Sequence, residues 1–329
     1  MGVVAWVARP KVLRSLVGGR LPAAWTIVYL LIGILTVYAA IASSTFRSSE
    51  NLTNVLQQSI ILGLVAIGQT LVVISRGIDF SVGAIVKLSA MVAALTMNGH
   101  SSLVAPAVAA ALGIGAGAGL VNGLVVTRLN AAPFIVTFGM SGVLRGIAFT
   151  ISTAPVGLAT EGFLRVYDAD VRGVPLLGHL PISVIAAAVV WALAGLFLAR
   201  VPLGRRIYAV GGEPEVARLA GIGVRRVRLA VYVLSGVLSG LAGVYALARS
   251  GIGDPTAGDG LEFDSITAVA LGGTSLFGGS GGIVGTLGGV LLLTLIGNVF
   301  NILQISTWYQ GMLKGAIILI AVAVYRQKR

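Results

Sequence analysis

Four charged residues stand within or between stretches that are otherwise apolar, and their types limit the chemistry open to this chain. Asp79 lies in Gly77-Ile-Asp-Phe-Ser-Val-Gly83, between two apolar runs, with Ser81 two residues on. Lys87 falls early in the next run, Arg145 deep in the run 133–151, and Lys314 at the start of the last. A carboxylate beside a hydroxyl accepts hydrogen bonds from the hydroxyls of a neutral ligand. The same pair could instead accept backbone N–H groups and start a helix. Both readings stand for Asp79 and Ser81. A charge at the centre of a bilayer costs about 2.5–3.5 kcal/mol on insertion scales, so each such group should face protein or water. Lys87, near a run end, is expected to snorkel to the interface, and Lys314 could do the same. Arg145 is too deep for that and divides evenly between packing and function. Gln69, Asn298 and Gln310, polar within apolar runs, join Asp79, Ser81 and Arg145 as candidates to line a polar path.

Several chemistries are excluded. Cysteine is absent, which removes disulfides, thiol catalysis and zinc–thiolate sites. His100 and His179 are far apart and sit among loop-like residues, so no metal site is expected. The lysines are Lys11, Lys87, Lys314 and Lys328, and none completes a G-x-x-x-x-G-K-[ST] loop. The glycine run 271–282 lacks that lysine too, so the chain cannot itself be a P-loop ATPase. With no Ser/His/acid set and no dense carboxylate pair in the apolar runs, catalytic residues are not expected.

The elements that must position the charged residues are membrane helices. The chain is 57% hydrophobic and only 10% charged, with mean hydropathy +0.98, more than a soluble domain needs. Apolar runs fall near 23–42, 55–74, 82–97, 105–126, 133–151, 182–199, 230–248, 264–278, 283–300 and 310–325. The expected fold is an all-α, polytopic membrane bundle of about ten transmembrane segments. The runs 82–97 and 264–278 are short enough to be tilted or re-entrant. The first run looks retained, since no cleavage pattern accompanies it. Residues 1–22 and 326–329 would be cytosolic tails of a domain spanning 23–325. Residues 152–181, punctuated by Pro and Gly, read as an outer loop with one short helix, and 249–264 as a second, acidic outer stretch. The formal charge of +12 would hint at nucleic acid in a soluble protein, but here it has a topological cause. If all ten runs cross, sixteen bases lie inside and only Arg47, Arg165, Arg172 and Arg249 outside, as the positive-inside bias requires.

Glycines recur on helix faces. Gly115, Gly119 and Gly123 form one row, Gly281, Gly285 and Gly289 another, and Gly236 and Gly240 a third. Without a Cβ, helices approach closely, so these read as packing devices. Two such ladders in opposite halves hint at an internal repeat.

The longest basic polar segment, 200–229, should be a cytosolic loop. In it Gly212-Glu213-Pro214-Glu215 reads as a helix start, with Pro in the first turn and acids at the positive dipole end. Gly221 and Gly223 supply stops, leaving about two turns. Val216, Leu219 and Ala220 share one face, and Glu215 can pair with Arg218. A short amphipathic helix of this kind is something a soluble partner could grip, though the loop could equally serve only to fix orientation.

A wider set of motifs is family-specific. The Gly77–Gly83 segment is followed by Tyr208-Ala-Val-Gly-Gly212, Ala217-Arg-Leu-Ala-Gly-Ile222, Pro255-Thr-Ala-Gly258, Glu262-Phe-Asp264 and Leu271-Gly-Gly-Thr-Ser275. From about Asn51 to Tyr325 the chain resembles the ribose-type sugar permeases of ABC importers, within the superfamily that also holds branched-chain amino-acid permeases. The resemblance implies a permease in a bacterial inner membrane, paired with a second permease subunit, identical or not. It implies a cytosolic ATPase that binds ATP and Mg, and an extracytoplasmic sugar-binding protein, with no cofactor on this chain. The ATPase-coupling segment would be Gly212, Glu213, Pro214, Glu215, Val216, Ala217, Arg218, Leu219 and Gly221. The family's pattern is broken at Arg76, usually a small residue, at Glu213, often Asn, and at Ser280-Gly-Gly282, which replaces a more basic turn. The cargo implied is a monosaccharide or related polyol. The alternatives are a branched-chain amino acid, an ion-coupled secondary transporter, for which only Asp79 offers an intramembrane coupling acid, or a membrane scaffold.

The charge asymmetry predicts cytosolic termini and an outer 152–181. In this cysteine-free background, Ser152→Cys should react with an impermeant thiol reagent added outside intact cells. Labelling only after permeabilisation would refute the topology.

Overall fold

The computed structural model describes residues 24–174 and 177–306, and beyond them 308, 309, 311, 312, 315 and 316. In chain order it contains α1 (Ala24–Ala42), α2 (Ser49–Ile74), α3 (Val82–Met97), α4 (Val104–Arg128), α5 (Pro133–Ile151), α6 (Glu161–Asp168), β1 (Asp170–Val174) and β2 (Gly178–Pro181). There follow α7 (Ile182–Arg200), α8 (Pro202–Gly212), α9 (Pro214–Leu219), α10 (Val224–Ser250), α11 (Leu261–Leu271) and α12 (Ile283–Ile302). Local signals set many of the ends. Ser48 caps α2 by accepting the Asn51 N–H, and Pro133 opens α5. Asn98 and Gly251 end α3 and α10 in the left-handed conformation.

Seven described helices are long and apolar enough to cross a membrane: α1, α2, α4, α5, α7, α10 and α12. The expected short runs behave differently from one another. α3 keeps the boundaries read from the sequence, 82–97, and is buried along most of its 16 residues. The run 264–278 does not form one helix. α11 begins earlier, at Leu261, and stops after 11 residues where Gly272 and Gly273 break it. The chain still passes from one end of α3 to the other here. Gly253 packs on Met91 and Ala94 near the C-terminus of α3, whereas the Gly279 N–H bonds the Ile74 carbonyl just before its N-terminus. Along α3 this stretch is loop, short helix, loop. Residues 1–22, Gln310, Lys314 and most of the run 310–325 lie outside the described residues.

The centre of the bundle is α10, which packs on α4, α2 and α3. Its contact with α4 is made by backbone. A Cβ on Gly115 would overlap the Gly236 carbonyl, one on Gly119 the Tyr232 carbonyl, and one on Gly240 would lie 2.6 Å from the Ala111 carbonyl. The packing role read for these glycines is what the structure shows, and the two rows mesh with each other. Gly285 and Gly289 do the same against Gly272 and Ala268 of the α11 region. Gly281 drops out of the expected row with Gly285 and Gly289: it precedes α12, at φ 126° in a loop. On the outer segment, α6 is joined by an antiparallel hairpin, with Asp170 opposite Pro181, that the sequence reading did not include. α8 was also unforeseen, as a second helix within the basic loop.

Gly115→Val should overpack the α4–α10 contact and cost about 3 kcal/mol, the upper end for added core volume. Gly113→Ala, with open space around it, should be neutral. Thermal unfolding of the detergent-purified variants separates them; equal midpoints would exclude the interlock.

Candidate functional site

At about 1.5 Å per residue α3 is roughly 24 Å long, short of the roughly 30 Å hydrocarbon core, and the segment 75–81 that leads into it is irregular backbone packed inside the bundle. Such backbone survives at membrane depth only where protein satisfies its polar groups. Three helices do so. From α5, Thr137 Oγ1 accepts the Phe80 N–H at 3.0 Å and lies 3.2 Å from the Ile78 carbonyl. From α10, Ser235 donates to Asp79 Oδ2 at 3.1 Å. From α4, Asn122 donates to Ser81 Oγ at 2.9 Å. Ser81 in turn donates its N–H and its hydroxyl to Asp79 Oδ1, at 2.9 and 2.6 Å. Asp79 and Ser81 are fully buried. Asp79 thus helps start α3, although it grips the N–H of Ser81, the N-cap residue, rather than one inside the helix.

Beside this segment the N-terminal ends of α3 and α11 meet. Gly83 is pressed against the Gly258 carbonyl and stands next to the Glu262 carboxylate, a closeness only glycine permits. Two ion pairs flank the junction. Lys87 Nζ lies 2.9 Å from Asp259 and 4.6 Å above the Phe149 ring of α5. Arg145 of α5 bonds Glu262 of α11 at 2.6 Å. The Lys87 side chain is 1% exposed and the Glu262 side chain 7%, while Asp259 and Arg145 are partly open. Phe263, next in the chain to Glu262, belongs to a trio of aromatic rings. Phe80 meets Phe138 and Phe263 edge-on, with centroids 6.3 and 5.7 Å apart, and Phe138 is 67% exposed.

The cluster holds two bases and two acids, so its formal charge sums to zero. Carboxylates and a guanidinium offer acceptors and donors to hydroxyls, and aromatic faces offer apolar surface to a ring. The combination suits an uncharged polar molecule. Paired acids are poorly placed to carry a coupling ion.

Of the residues expected to line a path, only Arg145 is in this cluster; Asp79 and Ser81 lie against it in the packed segment. Gln69 is fully buried, and neither end of its amide has a protein partner among the described residues. Asn298 exchanges hydrogen bonds with Asn51, tying α12 to α2. Lys87 does not snorkel, because a counterion was available within the protein. The acidic outer stretch is likewise not wholly outer, since Asp259 and Glu262 reach the first turn of α3. Asp259, Glu262, Phe80, Phe138 and Phe263 were not among the expected path residues. The available signal was charge balance: two intramembrane bases require acids, and the surplus lay at 254–264.

At the basic loop, α9 runs from Pro214 to Leu219, with the Glu215–Arg218 pair at 2.7 Å. Ala217 packs inward. Val216 and Leu219 are 61% and 84% exposed, an apolar face left open among the described residues. Tyr208 on α8 donates to the Gly281 carbonyl at 2.8 Å; burial pushes its phenol up, so it remains a donor.

Residues 51–322 match the family model described as branched-chain amino acid transport system / permease component. The chain is 40% identical to the ribose import permease of Escherichia coli K12, over 91% of this chain and 93% of that one. It is 41% identical to the ribose import permease of Bacillus subtilis 168, over 91% and 92%. It is 35% identical to the fructose import permease of Rhizobium meliloti, over 92% and 85%. No solved structure matches it.

Arg145→Met leaves a buried, unpaired carboxylate on Glu262 and should destabilise the protein by about 3 kcal/mol, the low end for a broken buried pair because Arg145 is partly open. Adding Glu262→Gln should recover most of the loss. A melting temperature unchanged in the single variant would show that the pair is solvated.

Proposed function

This chain belongs to the permease-component family of branched-chain amino acid transport systems, and within it we propose that the cargo is a monosaccharide or related polyol. It is the membrane subunit of an ABC importer, a transport component rather than an enzyme. The observation that carries the sugar reading is that relatives covering nine-tenths of the chain are named for ribose and fructose. The net-neutral, aromatic-flanked cluster supports it. Lys87, Arg145, Asp259 and Glu262 are paired with one another, which leaves hydrogen-bonding edges for the hydroxyls of a neutral cargo.

In this reading a second permease subunit covers the open faces of Phe138, Phe263 and Asp259, so that the pair encloses the path. Both termini are cytosolic. An ATPase binding ATP and Mg docks on Val216 and Leu219, and closure of the ATPase pair switches the cavity between outward- and inward-facing states. A sugar-loaded binding protein delivers cargo at the surface formed by α6 and the β1–β2 hairpin. Gln69, within the bundle, and Asn298 and Gln310 remain candidates for the path.

Co-expressed with an ATPase and a binding protein of ribose-type systems, the chain should support ATP-dependent ribose uptake. Val216→Asp with Leu219→Asp should abolish uptake and ATPase co-purification while leaving insertion intact. Retention of the ATPase by this variant would remove α9 from the docking role, and uptake of leucine in place of ribose would reverse the cargo assignment.

A further inference from the structure

Arg76 occupies a position that arginine has no intrinsic reason to hold. It follows the last turn of α2 at φ 65°, and the Gly77 N–H reaches back to the Val72 carbonyl, closing the helix as a left-handed terminus. Glycine takes that conformation without steric cost. A long charged residue there points to work done by the side chain.

The guanidinium reaches across the fold to the basic loop. Its Nε donates to the Gly211 carbonyl at 2.7 Å and a terminal nitrogen donates to the Gly212 carbonyl. These are the last two residues of α8, whose final carbonyls have no partner within the helix and form the negative end of its dipole. The same nitrogen lies 4.0 Å from Glu213, the N-cap residue of α9. Both groups of that ion pair are substantially exposed, so its own weight is small. The grip comes from the two carbonyl bonds, and it falls at the junction between α8 and α9.

Around this grip the backbones touch. Gly211 has no room for a Cβ against the Ile74 carbonyl, and the Gly279 N–H donates to that carbonyl at 2.9 Å. On the other side of Arg76, Gly77 packs beneath the Tyr232 hydroxyl, and Asp79 is held by Ser81 and Ser235. The next residue, Phe80, carries the ring that meets Phe138 and Phe263. There is little slack between the α8–α9 junction and these aromatic rings.

We infer that Arg76 is a positioning residue that couples movement of α9 to the 75–81 segment, and so to the aromatic cluster at membrane depth. The partner that moves α9 rests on the importer reading; the mechanical link does not. When an ATPase draws α9 aside, the α8 carbonyls move with it, and Arg76 carries the displacement into the segment containing Asp79 and Phe80.

The test uses Ile78→Cys, half-buried and the sole thiol in the chain, and reads its alkylation rate by a maleimide in detergent. In the chain alone, Arg76→Ala should raise the rate at least threefold as the segment loosens, and Arg76→Lys, a point charge in place of a fork, should fall between. With a ribose-type ATPase bound, the rate in the Arg76 chain should change at least threefold. Arg76→Ala should still retain the ATPase but lose that change. An unchanged rate in the chain alone on Arg76→Ala overturns the link whatever the ATPase does. So does a full ATPase-induced change in that variant. Loss of ATPase retention in Arg76→Ala would make Arg76 a support for docking and would also overturn the link. Failure of the unaltered chain to bind any ATPase counts against the importer reading, and the partner-free arm still decides the role of Arg76.

Discussion

Non-helical backbone has no water to bond with inside a bilayer, and the segment 75–81 makes that constraint central to this protein. Each polar group there must find protein, and the groups that answer come from three helices: Thr137 on α5, Asn122 on α4 and Ser235 on α10. The segment therefore serves as the point where those helices are registered against one another. An unpaired polar group in hydrocarbon costs several kcal/mol, so sliding any one helix would expose a donor or acceptor on the others.

Close packing makes that registry possible. α4 and α10 meet carbonyl against glycine, with Gly115 and Gly236 facing each other. Dispersion replaces the hydrophobic drive that lipid cannot supply. The close approach brings Asn122 and Ser235 within reach of Ser81 and Asp79. A bulkier face would hold the helices apart and leave those hydrogen bonds unmade.

Charge follows the same logic. Lys87 and Arg145 are tolerated because the break before α11 lets Asp259 and Glu262 descend to them. The loop before α11 and the first turn of α11 thus supply the counterions, and the segment 75–81 supplies the Phe80 ring. Both breaks end at helix N-termini, where acids are favoured by the dipole. The four charged groups of the cluster are thereby paired with one another.

Much of this was legible in the sequence because it rests on local rules. Apolar run length located the helix 82–97 and spans such as 133–151, Pro214 and Gly221 bracketed α9, and glycine spacing identified the α4 and α10 faces. Motif order alone pointed to the family. Pairing across the fold was not legible. Lys87 at a run end looks the same in sequence whether it snorkels or meets Asp259, residues 172 positions away in the chain order being invisible to any periodicity. Nor could Arg76 be tied to Gly211, 135 residues on, because a carbonyl acceptor leaves no mark in residue type. The run 264–278, short enough to be tilted or re-entrant, holds only the end of a helix that starts at Leu261, and the contact of Gly272 with Gly285 at its break has no signature in hydropathy. Local sequence determined which segments enter the membrane; tertiary contact decided which charges meet, since partner choice depends on distances that folding alone creates.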